Sequence, residues 1–498
     1  MNRAGFIVFL LVFPVLIQAQ DFLTGIEGKP TPPVNAVSNM AAADTGIYFG
    51  SGRGLNFFLN KSFFPVRTGF DDLDQKGVYS VAASGNSRFF ATAEIRTISD
   101  NKVTTGLAYG FSSDRGTTWK RVALPLDAPD ADTIFFGQDT IDALPVVVPQ
   151  QFVTYDAALS GDTIWVATWA GGIRQSSDGG LTWKRVLVPP DNRSWLSPDS
   201  SYPFFYSPVP RGGRGGDYNF LGFSVHKTRS GTLWTGSAGG INRRYQPEGF
   251  LHFVHGPDPS TIPGNWVTGI RSQVTGGTER VWAICWRALS QTEDNGLAFT
   301  TDGGFTWTRT LMGEKIYDLA FSDSLVVASG ENGVFLSVDG MQWQRRTQFS
   351  DPDKKEIIPY AEFLSVAFEP VHHQWMIGTT QGLLLPESED LLGTPTWSIS
   401  RRNASEEKSA AFAYPNPFSP DDDRFCRIHF PEATGAVVDI FSTDHQRVTT
   451  LRSAFSGPVR EILWDGRDSG NRRVANGVYL FRVSTDNDEL WGKLLILE

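Results

Sequence analysis

"SSDGGLTWKRV" occupies Ser176–Val186, and close copies stand at Ser112–Val122 ("SSDRGTTWKRV") and Thr300–Thr310 ("TTDGGFTWTRT"). The shared phrase is Ser/Thr-x-Asp-x-Gly-x-Thr-Trp. An Asp that opens a tight turn accepts hydrogen bonds from backbone N–H groups two or three residues further on. The following glycines permit a positive φ without a Cβ clash. The Thr returns a side-chain bond across the turn. The Trp delivers an indole to a packing layer, where its N–H needs a partner. The phrase therefore reads as a clamp that sets the register of two strands. A catalytic reading would need a base, a nucleophile and a pocket at every copy, and three distant copies cannot converge on one substrate. Structural roles are accordingly expected for Ser112, Asp114, Gly116, Thr118 and Trp119, for Ser176, Asp178, Gly180, Thr182 and Trp183, and for Thr300, Asp302, Gly304, Thr306 and Trp307.

The clamp sets a repeat. Its tryptophans stand at 119, 183 and 307, so the second gap is close to twice the first. A degenerate unit lies in that gap: "GTLWTGSAGGINRRYQPEGFLHF" (Gly231–Phe253) keeps the strand, Gly-Gly, strand rhythm without the Asp. A shorter copy, "SVDGMQW" (Ser337–Trp343), contributes Asp339 and Trp343. Upstream of the phrases recur β-rich runs such as "IWVATWAGGIRQS", "LVVASGENGVFLS" and "IYFGSGRGLNFF". These follow short strands such as "VYSVAAS", "FVTYDAAL", "FLGFSVH", "WVTGIRS", "IYDLAFS" and "FLSVAFE". Each unit reads as four strands joined by turns, and the units fall at about 34–69, 78–122, 152–186, 220–254, 266–310, 316–346 and 364–402. One such unit cannot bury both faces alone, whereas seven around an axis can. Sustained helical periodicity is missing from 34–402. The expected fold class is all-β: a seven-bladed β-propeller with a C-terminal Ig-like β-sandwich.

The totals agree with that class. The chain has 498 residues, too many for one ordinary core, with 50 Gly, 15 Trp and 36 Phe. A net charge of −10 and a pI near 5.3 argue against a nucleic-acid partner, which needs a concentrated basic face. The two cysteines, Cys285 and Cys426, fall in different predicted domains and read as free thiols. "MNRAG" followed by the apolar run Phe6–Ile17 reads as an export signal, with cleavage expected after Ala19. No later segment is apolar enough for a transmembrane helix. The mature chain is thus expected to be secreted, periplasmic or held at the cell surface.

The phrases "SSDRGTTW", "SSDGGLTW" and "TTDGGFTW" resemble the Asp-box, or BNR repeat, of β-propellers. That superfamily includes sialidases, xyloglucan-processing hydrolases, sortilin-type receptors and a photosystem assembly factor. The resemblance covers most of 34–402 and implies blades with the boxes at the periphery, without naming an activity. After Trp397 the composition changes. Residues 403–411 read as a linker between the propeller (20–402) and a last domain (412–498). There "YPNPFSP", "WDGRDSGNRRVANGVYLFRV" and the final "GKLLILE" resemble a FlgD-type Ig-like domain and the C-terminal sorting domains of bacterial type IX secretion cargo. Such domains keep a basic residue near the end. Here the last residue is Glu498 and the nearest lysine is Lys493. The resemblance implies contact with secretion or cell-envelope machinery.

Chemistry is sparse. A sialidase needs three arginines on a carboxylate, a Tyr–Glu pair and an acid. Arg174, Arg243 and Arg271 are candidates, but "FFPVRTG" (Phe63–Gly69) does not match that family's early arginine phrase. A glycoside hydrolase, sialidase- or xyloglucanase-like, is the alternative function, and paired carboxylates in the central funnel would favour it. His252 with His255, and His372 with His373, are the candidate metal pairs, and hydrogen-bonded histidines are the expected outcome. "SPDDDR" (Ser419–Arg424) and "DGRDSGN" (Asp465–Asn471) lack the DxDxDG order of a calcium loop. No catalytic residue, cofactor or metal site is therefore assigned. Two long insertions, 126–151 and 189–220, lie between units. The second carries a candidate ligand-contact loop: Trp195, Tyr202, Phe204, Phe205, Tyr206, Arg211 and Arg214. The favoured function is non-catalytic binding or scaffolding, with a protein or glycan at the propeller face.

Overall fold

A computed structural model of the protein describes residues 28–201, 203–210, 213, 216–354, 356–358, 361–402, 411–420, 425–453, 457–485 and 488–497. The predicted leader and most of the predicted linker lie outside these residues. The described chain is almost entirely β. Its one α-helix is the four-residue turn Asp71–Asp74.

Seven antiparallel sheets follow one another along the chain. Sheet 1 runs from Met40–Ala42 to Ser62–Pro65, sheet 2 from Gly77–Ser84 to Lys120–Ala123, and sheet 3 from Thr154–Ser160 to Lys184–Val186. Sheet 4 runs from Gly222–Lys227 to Gly249–Phe253, and sheet 5 from Trp266–Thr275 to Thr308–Thr310. Sheet 6 runs from Ile316–Ser322 to Gln344–Arg346, and sheet 7 from Phe363–Glu369 to Trp397–Ser400. Each is an up-and-down meander of four strands, and sheet 4 gains a fifth, Trp195–Leu196. The first strands touch in succession, and Met40–Ala42 also touches Phe363–Glu369, so they form a closed ring. This is a β-propeller. The second and third strands are apolar on both faces, as in Ile47–Ser51, Leu325–Gly330 and Gly382–Pro386. They must therefore pack against a sheet on either side. Their side chains form the core between neighbouring sheets, for example Trp282, Ile284 and Leu297 against Leu319, Val326 and Phe335.

The two insertions fold together. Thr133–Phe136 and Asp139–Ala143 form a hairpin, and Phe205–Tyr206 pairs with the second of these strands in parallel. Phe136, Ile141, Leu196, Tyr206 and Phe220 share one core with Trp165 and Phe250 of the ring.

Residues 412–496 form two further sheets. One joins Phe412–Tyr414, Cys426–Ala433 and Val459–Trp464. The other joins Val437–Ser442, Arg447–Arg452, Gly477–Ser484 and Glu489–Ile496. Their inner faces share a core of Phe418, Ile428, Phe430, Ile440, Trp464, Phe481 and Ile496, drawn only from this segment. Cys285 and Cys426 are both buried and not disulfide-bonded to each other, and burial pushes the Cys285 thiol up to about 12.

Candidate functional site

The repeated phrases occupy the turn between the third and fourth strands of sheets 2, 3, 5 and 6. In the second copy, Asp178 accepts from Thr182 N at 2.9 Å, Thr182 Oγ1 at 2.5 Å and Leu181 N at 3.0 Å. Ser176 Oγ donates to Asp178 at 2.7 Å and accepts from Gly180 N at 2.8 Å. Gly180 sits at φ 91°, a conformation that side-chain-bearing residues rarely adopt. Asp114 and Asp302 repeat the pattern with Thr118 and Thr306, and Asp339 accepts from Met341 N and Gln342 N. Hydrogen bonds from Thr182 hold the Asp178 carboxyl down at about 2. For Asp302 partial burial pushes upward, but the Thr306 bonds outweigh it, again giving about 2. Three of the indoles pack on the preceding sheet, Trp183 on Tyr109 (5.8 Å between ring centroids), Trp307 on Trp234 (6.0 Å) and Trp343 on Trp282 (6.3 Å), and Trp119 packs edge-on to Phe90 of its own sheet (5.2 Å). One expectation needs correction. Trp183 Nε1 donates to Gly180 O and Trp343 Nε1 to Thr310 Oγ1, but the buried Nε1 atoms of Trp119 and Trp307 have no partner. Ring packing, rather than the N–H bond, fixes those indoles.

The centre of the ring holds a charged bridge. Arg271 of sheet 5 reaches Asp156 of sheet 3 and Asp318 of sheet 6, each at 3.3 Å. Asp156 also accepts Val225 N of sheet 4, and Asp318 accepts Val366 N of sheet 7, each at 3.2 Å. Burial raises both carboxyls above the ordinary range despite the guanidinium between them. Asp156, Arg271 and Asp318 themselves line a cavity of about 310 Å³, whose wall continues along the later residues of the inner strands, among them Ala158, His226, Lys227 and Phe368. Its polar groups are paired: His226 Nε2 with Ser272 Oγ at 2.8 Å, and Lys227 Nζ with Ser160 Oγ at 2.9 Å. Burial and the nearby Arg271 hold His226 neutral, near 3.

Asp156 and Asp318 belong to a column that sequence reading missed. Six inner strands carry a β-bulge near their start. The residue after each bulge is Ser80, Asp156, Ser224, Gly269, Asp318 or Ser365, and Asn39 takes the same place opposite Gly50 in sheet 1. Five of these seven bond the backbone of the next sheet: Asn39 to Val78 O, Asp156 to Val225 N, Ser224 to Val267 O, Asp318 to Val366 N and Ser365 to Val37 O. The signal was present in "VYSVA", "TYDAA", "GFSVH", "IYDLA" and "FLSVA", whose third column is Ser or Asp.

The residue skipped by each bulge forms a second column: Tyr79, Tyr155, Phe223, Thr268, Tyr317 and Leu364. Its aromatic members gather others at the end of the ring opposite the cavity. Tyr155 lies 6.4 Å from Trp169 and 5.9 Å from Phe223, and Phe223 lies 5.9 Å from Trp266. Trp286 packs edge-on to Tyr317 at 5.7 Å. Tyr155 and Trp169 keep 43% and 37% of their surface exposed, so this arc faces solvent.

The remaining candidates are dispersed. Arg174 is buried and donates to both oxygens of Asp127 at 2.9 Å, and Arg185 joins the same carboxylate. Burial pushes that carboxyl up, and the arginine bonds more than reverse it. This pair pins insertion 126–151 to sheet 3. Arg243 donates to Gly303 O at 2.7 Å. The three candidate arginines therefore do not converge, and only Arg271 reaches the channel. In the candidate ligand-contact loop, Tyr206 is buried and Phe204 packs on Phe220 at 6.0 Å. Trp195 is half exposed, whereas Tyr202, Arg211 and Arg214 lie outside the described residues. This segment covers a sheet interface more than it offers a lip. His252 bonds Arg193 O and Gly239 O, and His255 bonds Ile262 O. His372 pairs with Glu369 and His373 with Glu389. Among the described residues no three His, Cys, Asp or Glu side chains are grouped to hold a metal. Asp465 and Asp468 cap their own turn through Arg467 N, Gly470 N and Arg472 N, and 421–424 lie outside the described residues.

No family model matches the chain, and no curated protein matches it. Solved structures do. A GH74 xyloglucanase from Xanthomonas campestris is 12% identical with a TM-score of 0.49, over 94% of this chain and 74% of that one. PorZ, titled a surface component of the type-IX secretion system of Porphyromonas gingivalis, is 13% identical with a TM-score of 0.36, over 92% and 70%. YCF48 bound to D1 peptide is 18% identical with a TM-score of 0.41, over 74% and 97%.

Proposed function

We propose that the protein is an exported bacterial binding or scaffolding protein without catalytic activity. In this reading residues 20–402 are a seven-bladed Asp-box propeller that presents a protein- or glycan-binding face. Residues 412–498 are a FlgD-like Ig sandwich that serves secretion sorting or surface attachment, and 1–19 are the export signal. The aromatic arc Tyr155–Trp169–Phe223–Trp266 carries the proposal. It is a solvent-facing aromatic surface on a rigid frame, while the charged groups of the channel are consumed by one another and by backbone. Aromatic side chains supply large contact area at little conformational cost, which suits recognition.

The hydrolase reading has one observation in its favour, the raised carboxyls of Asp156 and Asp318 on the ring axis. A glycosidase pair must leave the space between its carboxyls to sugar or water. Here Arg271 takes that space. One experiment separates the readings. Fractionated envelope polysaccharides and envelope proteins are passed over the immobilised mature chain, and reducing-end release is followed in parallel. The Tyr155→Ala/Trp169→Ala variant should lose about tenfold or more in affinity for whichever fraction binds, with no release of reducing ends. Release that Asp156→Asn abolishes would establish the hydrolase instead.

A further inference from the structure

Sheets 1 and 7 each consist of strands contiguous in sequence, and among the described residues no strand from one end of the chain pairs into the sheet of the other. The seam between them is apolar, with Val37, Met40, Phe49 and Phe58 against Met376 and Leu383. Ser365 Oγ of the first strand of sheet 7 donates to Val37 O at 2.6 Å, and further polar stitches come from the last strand and the residues just after it. Ser400 Oγ donates to Pro30 O at 3.3 Å, Arg402 N donates to Asn35 Oδ1 at 2.7 Å, and Arg402 Nη1 reaches Pro33 O at 3.4 Å.

Arg401, between these two, points the other way. It is buried, and its Nε donates to Glu356 at 2.6 Å. Its Nη2 lies 3.2 Å from Glu461 of the C-terminal sandwich, a charge contact without an aligned hydrogen bond. Glu461 also accepts from Arg427 Nη1 at 2.6 Å, and Arg427 donates to Gln381, in the loop between the second and third strands of sheet 7. Burial pushes the Glu461 carboxyl up, and Arg427 and Arg401 bring it below its usual range. A carboxylate buried between two arginines is costly to unpair, because removing it leaves uncompensated buried charge.

We propose that the sandwich is the lock of the ring. Through Glu461 it fixes Arg401, and so holds Ser400 and Arg402 on the amino-terminal segment that closes sheet 7 against sheet 1. This assigns the sandwich a work of its own inside the folded protein, whatever the ring binds.

The test is hydrogen exchange on the full mature chain, read at peptides covering 29–37 and 397–402. Glu461→Gln keeps the shape and removes the charge. It should speed exchange in both peptides by about tenfold or more, leaving sheets 3 to 5 unchanged. Asp439→Asn is the control. It loosens the sandwich at its far sheet, where Asp439 holds Arg482 and Thr450, and should leave the seam as it was. If Glu461→Gln does not fold, Arg401→Lys gives the same reading, since it shortens the reach to Glu461. Unchanged seam exchange in the Glu461 or Arg401 variant would overturn the proposal. So would equal acceleration throughout the ring, or an equal effect of Asp439→Asn.

Discussion

At the scale of single residues, Ser176, Asp178, Gly180 and Thr182 of the repeated phrase bond one another across one turn, while two of the phrase's indoles carry a buried N–H with no partner. Turn chemistry is local: Asp178 and its acceptor pattern span seven residues, Ser176–Thr182, so sequence spacing alone specifies it. The depressed Asp178 and Asp302 carboxyls carry a pH signature. Their folded values near 2 lie below the unfolded value of about 3.9. Stability from the turns is therefore fully present above about pH 4 and lost as pH falls through about 2. Asp178→Ala should lower the melting temperature at pH 7, and the gap to wild type should close in melts near pH 2. A gap that stays constant from pH 7 to pH 2 would show that the carboxylate charge plays no part. A different residue-scale test concerns the core. Trp282 is fully buried and its Nε1 has no partner, so its contribution is packing. Trp282→Ala should cost about 3–5 kcal/mol in urea unfolding.

At the scale of elements, strand order within each sheet was legible because turns and alternating strands are written consecutively. The inter-sheet bonds were not. Arg271 and Asp156 stand 115 positions apart, and nothing in either segment names the other. The β-bulge was equally hidden, because it shifts pairing by one residue without changing composition. The insertions illustrate a further limit. The aromatic residues of the second insertion suggested a ligand lip, and of these Tyr206 and Phe204 pack over the interface of sheets 3 and 4 beside Phe136 and Leu196. Asp127 decides whether that cover holds. Asp127→Asn removes the carboxylate that two buried arginines share, leaves their charges uncompensated and should destabilise the region by about 3–5 kcal/mol. Limited proteolysis should then cut within 126–151 before any other segment. Cleavage elsewhere first would place the anchor in another contact.

At the scale of the whole molecule, a closed ring with an aromatic rim meets the C-terminal sandwich at Arg401, Glu461 and Arg427. A change of composition near Trp397 pointed to two domains, and the segment after it holds a core of its own. Their interlock was not legible, since Arg401 stands at the end of the predicted propeller with nothing beside it to name a partner. Its meaning depends on Glu356 and Glu461 meeting it in space. A sandwich that locks the ring has to remain attached, whereas a sorting signal alone can be removed once its task is done. The intact mass of the native protein, recovered separately from the cell envelope and the medium, distinguishes these directly. The account predicts a chain shortened only at its amino terminus in both fractions. A mature, stably folded form lacking everything after about residue 402 would contradict it, and would leave the ring to close and act alone.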